Sequence, residues 1–446
     1  MRRSGEWRSA WYAARAIGGV FAVATLAATV GCHGSEAGVA SGGRVACDAG
    51  NGGLTLPDGF CATVFADSLG TARHVAVAPN GDVFVALLSG PERTDGGIMA
   101  LRDTNADGHA DVRRKFGETG ANEVRVHGGY VYQDNVTAIV RYPLPRGSLT
   151  PPDGTKPDTI VAGFPTGGHF ARTFVIDPQG IMYVNVGSPT NSCQEKDRTN
   201  GSPGKNPCTE LQERAGIWRY DAGRPGQQHG ADGRFATGLR NAMGLALYPG
   251  TGQLYATQHG RDQLFQNWPM HYDADQGAEL PAEELVAVDD GDNFGWPYCY
   301  YDQFQHALVQ APEYGGDGKT VGKCASYEKP LVAFPGHWAP NGLLIYSGSQ
   351  FPAKYRGGAF IAFHGSWNRA PKPQAGYKVV FVPFNDGRPT GTYETFADNF
   401  AGVDLSKGGE VQHRPMGLAQ SPDGSLFVTD SRTGKVWKIS YRGGAQ

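Results

Sequence analysis

Along most of this chain a short apolar run meets a turn of the type Pro-x-Gly and is followed by a run in which apolar and polar side chains alternate. The clearest copies are His74 to Ala86 around Pro79-Asn80-Gly81, Thr173 to Asn185 around Pro178-Gln179-Gly180, and Met416 to Thr429 around Pro422-Asp423-Gly424. The last of these closes with Gly434 to Ile439, and less regular copies lie at Val124 to Tyr142 and Gly342 to Phe363. Proline fixes φ and glycine supplies φ > 0, so such turns join strands into hairpins. Alternation with a period of two is the strand signature. A helical period is nearly absent, and Ala282-Glu283-Glu284-Leu285-Val286 is the best short helix candidate. Strand repeats of roughly 40 to 60 residues are what propeller blades produce. The pattern predicts an all-β chain, a β-propeller of roughly six to eight blades, with two stacked sandwiches as the competing arrangement.

Ala236 to Asp262 shows how function can be laid on this scaffold. Gly238-Leu239-Arg240-Asn241 precedes an apolar run, Pro249 to Gly252 turns the chain, and His259-Gly260-Arg261-Asp262 follows the return strand. A hairpin brings those two polar ends to one rim of its sheet.

Composition narrows the classes of partner. In 446 residues the net charge is −3 and aromatics make up 11%, which supports neither nucleic-acid binding nor disorder. Arg2, Arg3, Arg8 and Arg15 precede an uncharged run, Ala16 to Gly31, that ends at Cys32. Residues 1–32 read as an export signal, 33–50 as a flexible linker and 51–442 as the propeller. Thr29-Val30-Gly31-Cys32 is similar to a lipoprotein cleavage box with Thr29 in the usual leucine position, which leaves lipidation at Cys32 and plain secretion both open. Export to the periplasm or cell surface permits disulfides, and the expected pairing joins neighbours: Cys47–Cys61, Cys193–Cys208 and Cys299–Cys324.

Basic residues recur beside strand ends: His169 and Arg172, Arg240, His364 and Arg369, and Arg414. Arginine suits planar, bidentate recognition of carboxylates, so this set on one rim points to a small polyanionic ligand. The alternative is local pairing with Asp and Glu. His169 is the best candidate for a general base, ahead of His259, His337, His364 and His413, none of which has metal-site spacing. Asp103, Asn105, Asp107 and Asp111 place oxygens at alternate positions around Gly108, a pattern for Ca2+ or for a plain β-turn. Gly295 to Tyr301 and Gly336 to Asn341 are aromatic loops that suit either a ring-shaped ligand or loop packing.

Taken in order, GGHFARTFVIDPQGIMYVNVGS, FATGLRNAMGLA, ATQHGRD, GDNFGWPYCYYD, AFIAFHGSWNR and HRPMGLAQSPDG resemble the soluble quinoprotein glucose/sorbosone (pyranose) dehydrogenases. The resemblance spans roughly Pro57 to Ser440. It implies a six-bladed β-propeller that binds pyrroloquinoline quinone and Ca2+ and oxidises a sugar or related alcohol. It casts His169 as the base that takes the hydroxyl proton while hydride passes to the quinone, and Arg240 as the group polarising the quinone oxygen. Asn241, Arg369 and Arg414 would hold the polar edge of the cofactor, with Arg172, His364, Trp367 and Asn368 as neighbours. Gly260 and Arg261 would offer backbone carbonyls to its Ca2+. Three positions depart from the glucose-oxidising members: Gly168 stands for Asp, and Ala242 and Arg261 each stand for Pro. The departures weigh against glucose as substrate more than against the cofactor. A Cys-x-x-Cys-His haem motif is absent, so electrons would leave to a separate acceptor. Two other readings compete: a calcium-dependent lactonase-type propeller, which leaves the arginine set unexplained, and a non-catalytic sugar- or protein-binding propeller, which has no need of His169.

Overall fold

Gly81, Gly180 and Gly424 sit at φ of 91°, 88° and 86°, so each Pro-x-Gly turn uses its glycine where the backbone requires positive φ. Each joins the innermost strand of a sheet to its antiparallel neighbour. The chain is described here by a computed structural model over residues 47–89, 96–118 and 120–443. The export signal, Cys32 and residues 33–46 of the expected linker lie outside the described residues.

Six antiparallel sheets form a β-propeller. Blade 1 runs outward through Ala72–Val77, Val83–Leu87, Gly97–Arg102 and Val112–Phe116. Blade 2 is Val124–His127, Tyr130–Asp134, Ala138–Pro143 and Asp158–Ala162, extended by Gln227–Gln228. Blade 3 is Phe174–Ile176, Ile181–Val186, Gly216–Asp221 and Arg234–Thr237. Blade 4 is Gly244–Leu247, Leu254–Gln258, Glu283–Val288 and Val332–Phe334. Blade 5 is Pro340–Ile345, Ala359–Phe363, Lys378–Val382 and Glu394–Ala397. Blade 6 is Pro415–Gln420, Leu426–Asp430 and Val436–Tyr441, and its outer strand is the N-terminal segment Phe60–Ala66. The innermost strands pack in a ring, each against the next.

Second strands such as Val83–Leu87, Ala359–Phe363 and Leu426–Asp430 are buried throughout, because neighbouring blades cover both faces. Outer strands such as Val112–Phe116 are largely exposed. The helix expected at Ala282 to Val286 is instead part of Glu283–Val288, the third strand of blade 4. Tertiary pairing on both sides of this strand overrides the helical preference of its two glutamates, which are themselves buried. The described α-helices are Leu264–Asn267 and Ala274–Glu279, the latter opened by a capping box between Asp273 and Gln276.

The ring closes where Phe60–Ala66 pairs with Val436–Tyr441. Residues 47–50, expected to end the linker, belong to this closure. Asp48 accepts from the Val64 N–H at 2.7 Å, and Cys47 is bonded to Cys61. The other two expected disulfides, Cys193–Cys208 and Cys299–Cys324, are also formed.

Antiparallel connectivity sorts the loops onto two rims. Connections from the second to the third strand, and from one blade to the next, share one rim with the start of every innermost strand. The segments 163–173, 187–215, 238–243, 259–282, 364–377 and 398–414 are all of this kind. The Asp103 to Asp111 turn joins the third and fourth strands of blade 1 and therefore lies on the opposite rim.

Phe60 stands edge-on to Phe351, Tyr355 and Phe396, with ring centroids 4.8, 5.4 and 5.0 Å away. Phe60→Ala should therefore cost about 3–5 kcal/mol by opening a cavity at the closure. Guanidinium unfolding measures this, and a loss under about 1 kcal/mol would show that the closing strand does not secure the ring.

Candidate functional site

On the rim that gathers these loops, His169 follows two glycines in the connection between blades 2 and 3. Its Nδ1 lies 2.8 Å from the Ser188 carbonyl and 3.0 Å from Ser188 Oγ. Ser188 Oγ donates its own proton to the Thr190 carbonyl at 2.7 Å, so both contacts require Nδ1 to be the donor. Nε2 is then an acceptor, with no protein partner among the described residues. Burial first, then the Arg240 charge, pushes the imidazole well below its ordinary pKa. His169 is neutral at physiological pH.

Arg240 is buried and directs every guanidinium nitrogen at a partner. Nε donates to the Asn191 carbonyl at 3.0 Å and Nη1 to the Gly260 carbonyl at 2.9 Å. Nη2 donates to Asn191 Oδ1 at 3.0 Å and to Asp262 Oδ2 at 3.1 Å. Asp262 Oδ2 also accepts from Arg198 at 2.8 Å, and Oδ1 accepts from Asn368 Nδ2 at 2.8 Å. Burial alone would raise the Asp262 carboxyl, but Arg240, His337 and Arg198 hold it below the usual range. Asn241 sits beside His169. A Cβ on Gly187 would lie 2.6 Å from that of His169 and 3.1 Å from Asn241 Oδ1, so glycine permits the approach. Asn241 Oδ1 and His259 Nε2 are buried without hydrogen-bond partners among the described residues. The His259 imidazole is lowered to about 4 by burial and then by Arg240.

The turn at Gly260 is braced from below. Glu283 Oε2 accepts from the Gly260 N–H at 3.0 Å and its Oε1 from the Ala339 N–H at 3.2 Å, and burial raises Glu283 to about 8. The Arg261 side chain meets Glu313 at 2.5 Å as a buried pair. Glu313 also accepts from Ser192 Oγ and Trp268 Nε1. It thereby ties the Cys193–Cys208 loop and the Cys299–Cys324 insertion to the Gly260 turn.

His364 and Arg414 meet across blades 5 and 6. Arg414 Nη1 donates to the Gly365 carbonyl at 3.0 Å and lies 3.4 Å from His364 Nδ1, while His364 Nε2 is 2.7 Å from Ser431 Oγ. Two expected ligand-facing arginines also brace loops, Arg172 with its Nε left without a partner among the described residues. Arg172 is fully buried and donates to the carbonyls of Pro165, His169 and Ala171. Arg369 donates to Gly336, Pro373 and Glu279, the last at 2.6 Å. Both hold loops in place. Trp367 is 64% exposed on the rim, and Asn368 is bound to Asp262. Asp103, Asn105, Asp107 and Asp111 lie on the other rim, where Asp103 accepts from Asp107 and Gly108, Asp107 from His109, and Asp111 from Thr104. The observed geometry of that loop is that of turn caps.

Asp262, Asn191, Ser188, Glu283, Glu313 and Arg73 are the site residues that sequence reasoning missed. Asp262 ends the same ATQHGRD stretch that supplied Gly260 and Arg261, so its signal was present. Arg73, at the start of blade 1, has a buried Nε without a partner, and burial lowers it to about 10.

Comparison with known proteins adds the following. The profile of the TrAA12-like family matches residues 54–442. A pyrroloquinoline quinone-dependent pyranose dehydrogenase of Coprinopsis cinerea is 27% identical over 332 residues, 65% of this chain and 42% of that protein. An aldose sugar dehydrogenase of Escherichia coli is 23% identical over 291 residues, 62% of this chain and 61% of that one. An uncharacterized protein of Borreliella burgdorferi is 30% identical over 207 residues, 46% of this chain and 48% of that one. The chain thus spans about half the length of the curated relatives it matches. Among solved structures, the Trichoderma reesei family AA12 enzyme superposes with a TM-score of 0.72 at 19% identity, covering 87% of this chain and 98% of that one. The holo pyrroloquinoline quinone domain of the Coprinopsis pyranose dehydrogenase gives 0.69 at 21% identity, covering 87% and 97%. These superpositions establish the fold.

The buried titratable groups predict how stability varies with pH. His74, His169, His229, His259, His337 and His364 are all held below 6.5, with burial the largest cause in each. They stay neutral when folded, so their contribution is present above about 6.5 and is lost as pH falls through the folded values, about 4 for His259 and about 3 for His74. Burial raises Glu123 and Glu284 to about 7 and Glu283 to about 8. Their contribution is present below the unfolded value of 4.5 and is lost as pH rises through 7 to 8. The melting temperature of the cofactor-free chain should peak at roughly pH 6 to 7 and fall on both sides. Scanning fluorimetry in matched buffers tests this, and a flat profile from acid to mild alkali would contradict it.

Proposed function

The chain belongs to the TrAA12-like family, and from that premise we propose that it is an oxidoreductase acting on a hydroxyl carbon of a sugar or related alcohol, with pyrroloquinoline quinone as cofactor and Ca2+ beside it. The observation that carries this reading is His169, with Nδ1 committed to Ser188 and Nε2 free, close to the buried Arg240 guanidinium. A neutral imidazole held in that tautomer takes a proton from a substrate hydroxyl at Nε2. The relatives named as pyranose and aldose sugar dehydrogenases support the substrate class.

The residues present fit the cofactor. Asn241 Oδ1, His259 Nε2 and Arg73 Nε are buried polar atoms without partners, and such atoms in a native protein call for an explanation. The Gly260 carbonyl has a lone pair beyond its Arg240 bond, and the Arg261 carbonyl has no donor among the described residues, so both can face a hard cation. Asn241, His364 and Arg414 would hold the anionic edge of the group, and Arg240 would stabilise charge on its oxygen. Arg172 and Arg369 keep the loops of His169 and Asn368 in place, and Trp367 offers an exposed face for a sugar ring. When bound, the quinone supplies the two-electron acceptor that no side chain provides. The leader, together with three disulfides, supports export to the periplasm or cell surface, with Cys32 lipidated or the chain plainly secreted, and electrons would leave to a separate acceptor. A lactonase would need carboxylates converging on one metal. Among the described residues the one convergent set is Cys193, Cys208 and Glu210, and its two sulfurs are bonded to each other.

The test is quinone and Ca2+ titration of the purified chain, followed by dye reduction with aldoses, ketoses and polyols. Absence of both binding and turnover would reject the reading. His169→Ala should bind quinone within about threefold of wild type and lose at least about 100-fold in turnover. A full rate in that variant would remove His169 as base. Because its pKa is depressed, the base is already deprotonated at neutral pH, so kcat/KM should be level above about pH 6.5 and decline only in acid. Arg240→Ala should weaken quinone binding and slow turnover together.

A further inference from the structure

We propose that Asp262 is the positioning residue of this site, the carboxylate that fixes the Arg240 guanidinium and joins the loops of blades 3, 4 and 5 around the opening. The inference rests on the function proposed above and adds a residue to it.

Arg240 has four acceptors, and Asp262 Oδ2 is the only charged one. A buried guanidinium held by neutral acceptors alone is costly, so the direction of Arg240 depends on that carboxylate. The His169 loop cannot supply a substitute. Gly168 has φ of +56°, and a Cβ there would lie 2.3 Å from the Pro189 carbonyl oxygen, so no side chain fits beside the base.

Asp262 is also where the loops meet. Its Oδ2 takes Arg198 from the Cys193–Cys208 loop of blade 3, and its Oδ1 takes Asn368 from blade 5. Its backbone is locked to Asn191 in both directions, N–H to Oδ1 at 2.8 Å and carbonyl from Nδ2 at 2.9 Å. Three N–H donors, from Arg198, Arg240 and Asn368, meet the carboxylate, so both of its oxygens accept. An amide of the same size would present one NH2 to a donor and break one of these bonds, which makes Asp262→Asn a sharp probe.

The experiment compares wild type, Asp262→Asn and Asp262→Glu, each loaded with quinone and Ca2+. In Asp262→Asn, kcat per bound quinone should fall about 10- to 100-fold with KM within about twofold. The primary isotope effect with substrate deuterated at the oxidised carbon should rise, because C–H cleavage becomes rate-limiting. The absorption maximum of bound oxidised quinone should move toward that of free quinone, while quinone affinity and Ca2+ affinity stay within about fivefold. Asp262→Glu restores the charge and should recover most of kcat. Three results would overturn the proposal. The first is a wild-type kcat and spectrum in Asp262→Asn. The second is a loss of Ca2+ affinity as large as the loss of kcat, which would make Asp262 a metal ligand instead. The third is an Asp262→Glu as impaired as Asp262→Asn. A wild type that neither binds quinone nor turns over strikes the underlying function, whereas an active wild type beside an unchanged Asp262→Asn strikes this inference alone.

Discussion

The innermost strands of the blades converge on one axis, and that convergence decides what the site can contain. The rim end of every such strand carries polar groups toward that axis: His74, Glu123, Arg172, Asn241, Asn341 and Arg414 all stand there. Burying a charge without a partner costs more than a folded chain can tolerate. The residues respond in three ways. The imidazoles stay neutral. The acids either rise in pKa or collect backbone N–H donors, as Glu123 and Asp134 do. Most of the arginines find fixed acceptors, while Arg73 Nε and Arg172 Nε stay without a partner among the described residues.

That third response organises the rim. Arg240 pairs with Asp262, Arg261 with Glu313 and Arg369 with Glu279. Removing one partner of a buried pair typically costs about 3–5 kcal/mol, because the other charge is stranded. Each pair therefore anchors a loop that secondary structure leaves free. The Cys193–Cys208 and Cys299–Cys324 disulfides act on the same loops by restricting the unfolded chain. On the function proposed above, an imidazole and a guanidinium held this way need no reordering when substrate arrives, which is how orientation lowers a barrier.

What the sequence revealed follows from the range of the forces involved. Pro-x-Gly turns are set by their own residues, so the hairpins, their period and the shared rim of Arg240 and Gly260 were legible. Neighbouring cysteines close short loops, and their pairing was legible for the same reason. Ala282 to Val286 was misread because its two glutamates suggest a surface helix, and only pairing with neighbouring strands makes Glu283 to Val286 a buried strand. Arg172 and Arg369 looked like ligand donors; Arg172 also donates to carbonyls of its own 163–173 segment, and Arg369 to nearby Pro373 and to Gly336 and Glu279 from other loops. Asp103 to Asp111 has the spacing of a metal loop, and its carboxylates also accept from the loop's own backbone N–H groups. The orphaned atoms of Asn241, His259 and Arg73 leave no trace in a sequence at all.

The three positions that depart from the glucose-oxidising members each carry a contact that the other residue would forbid. Gly168 lies against the Pro189 backbone, where an aspartate has no room. Ala242 donates its N–H to Asn185 Oδ1 at 3.1 Å, and proline has no N–H to give. Asn185 in turn donates to the Ala171 carbonyl, so this bond couples the His169 loop to the strand that follows Asn241. Arg261 holds its turn by a buried side chain where a proline would hold it by a fixed φ. The departures are therefore not scattered losses of a motif. Together they place contacts beneath His169, Arg240 and Asn241 that those other residues could not make. On the function proposed above, such changes bear on the walls that choose a substrate more than on the groups that act on it.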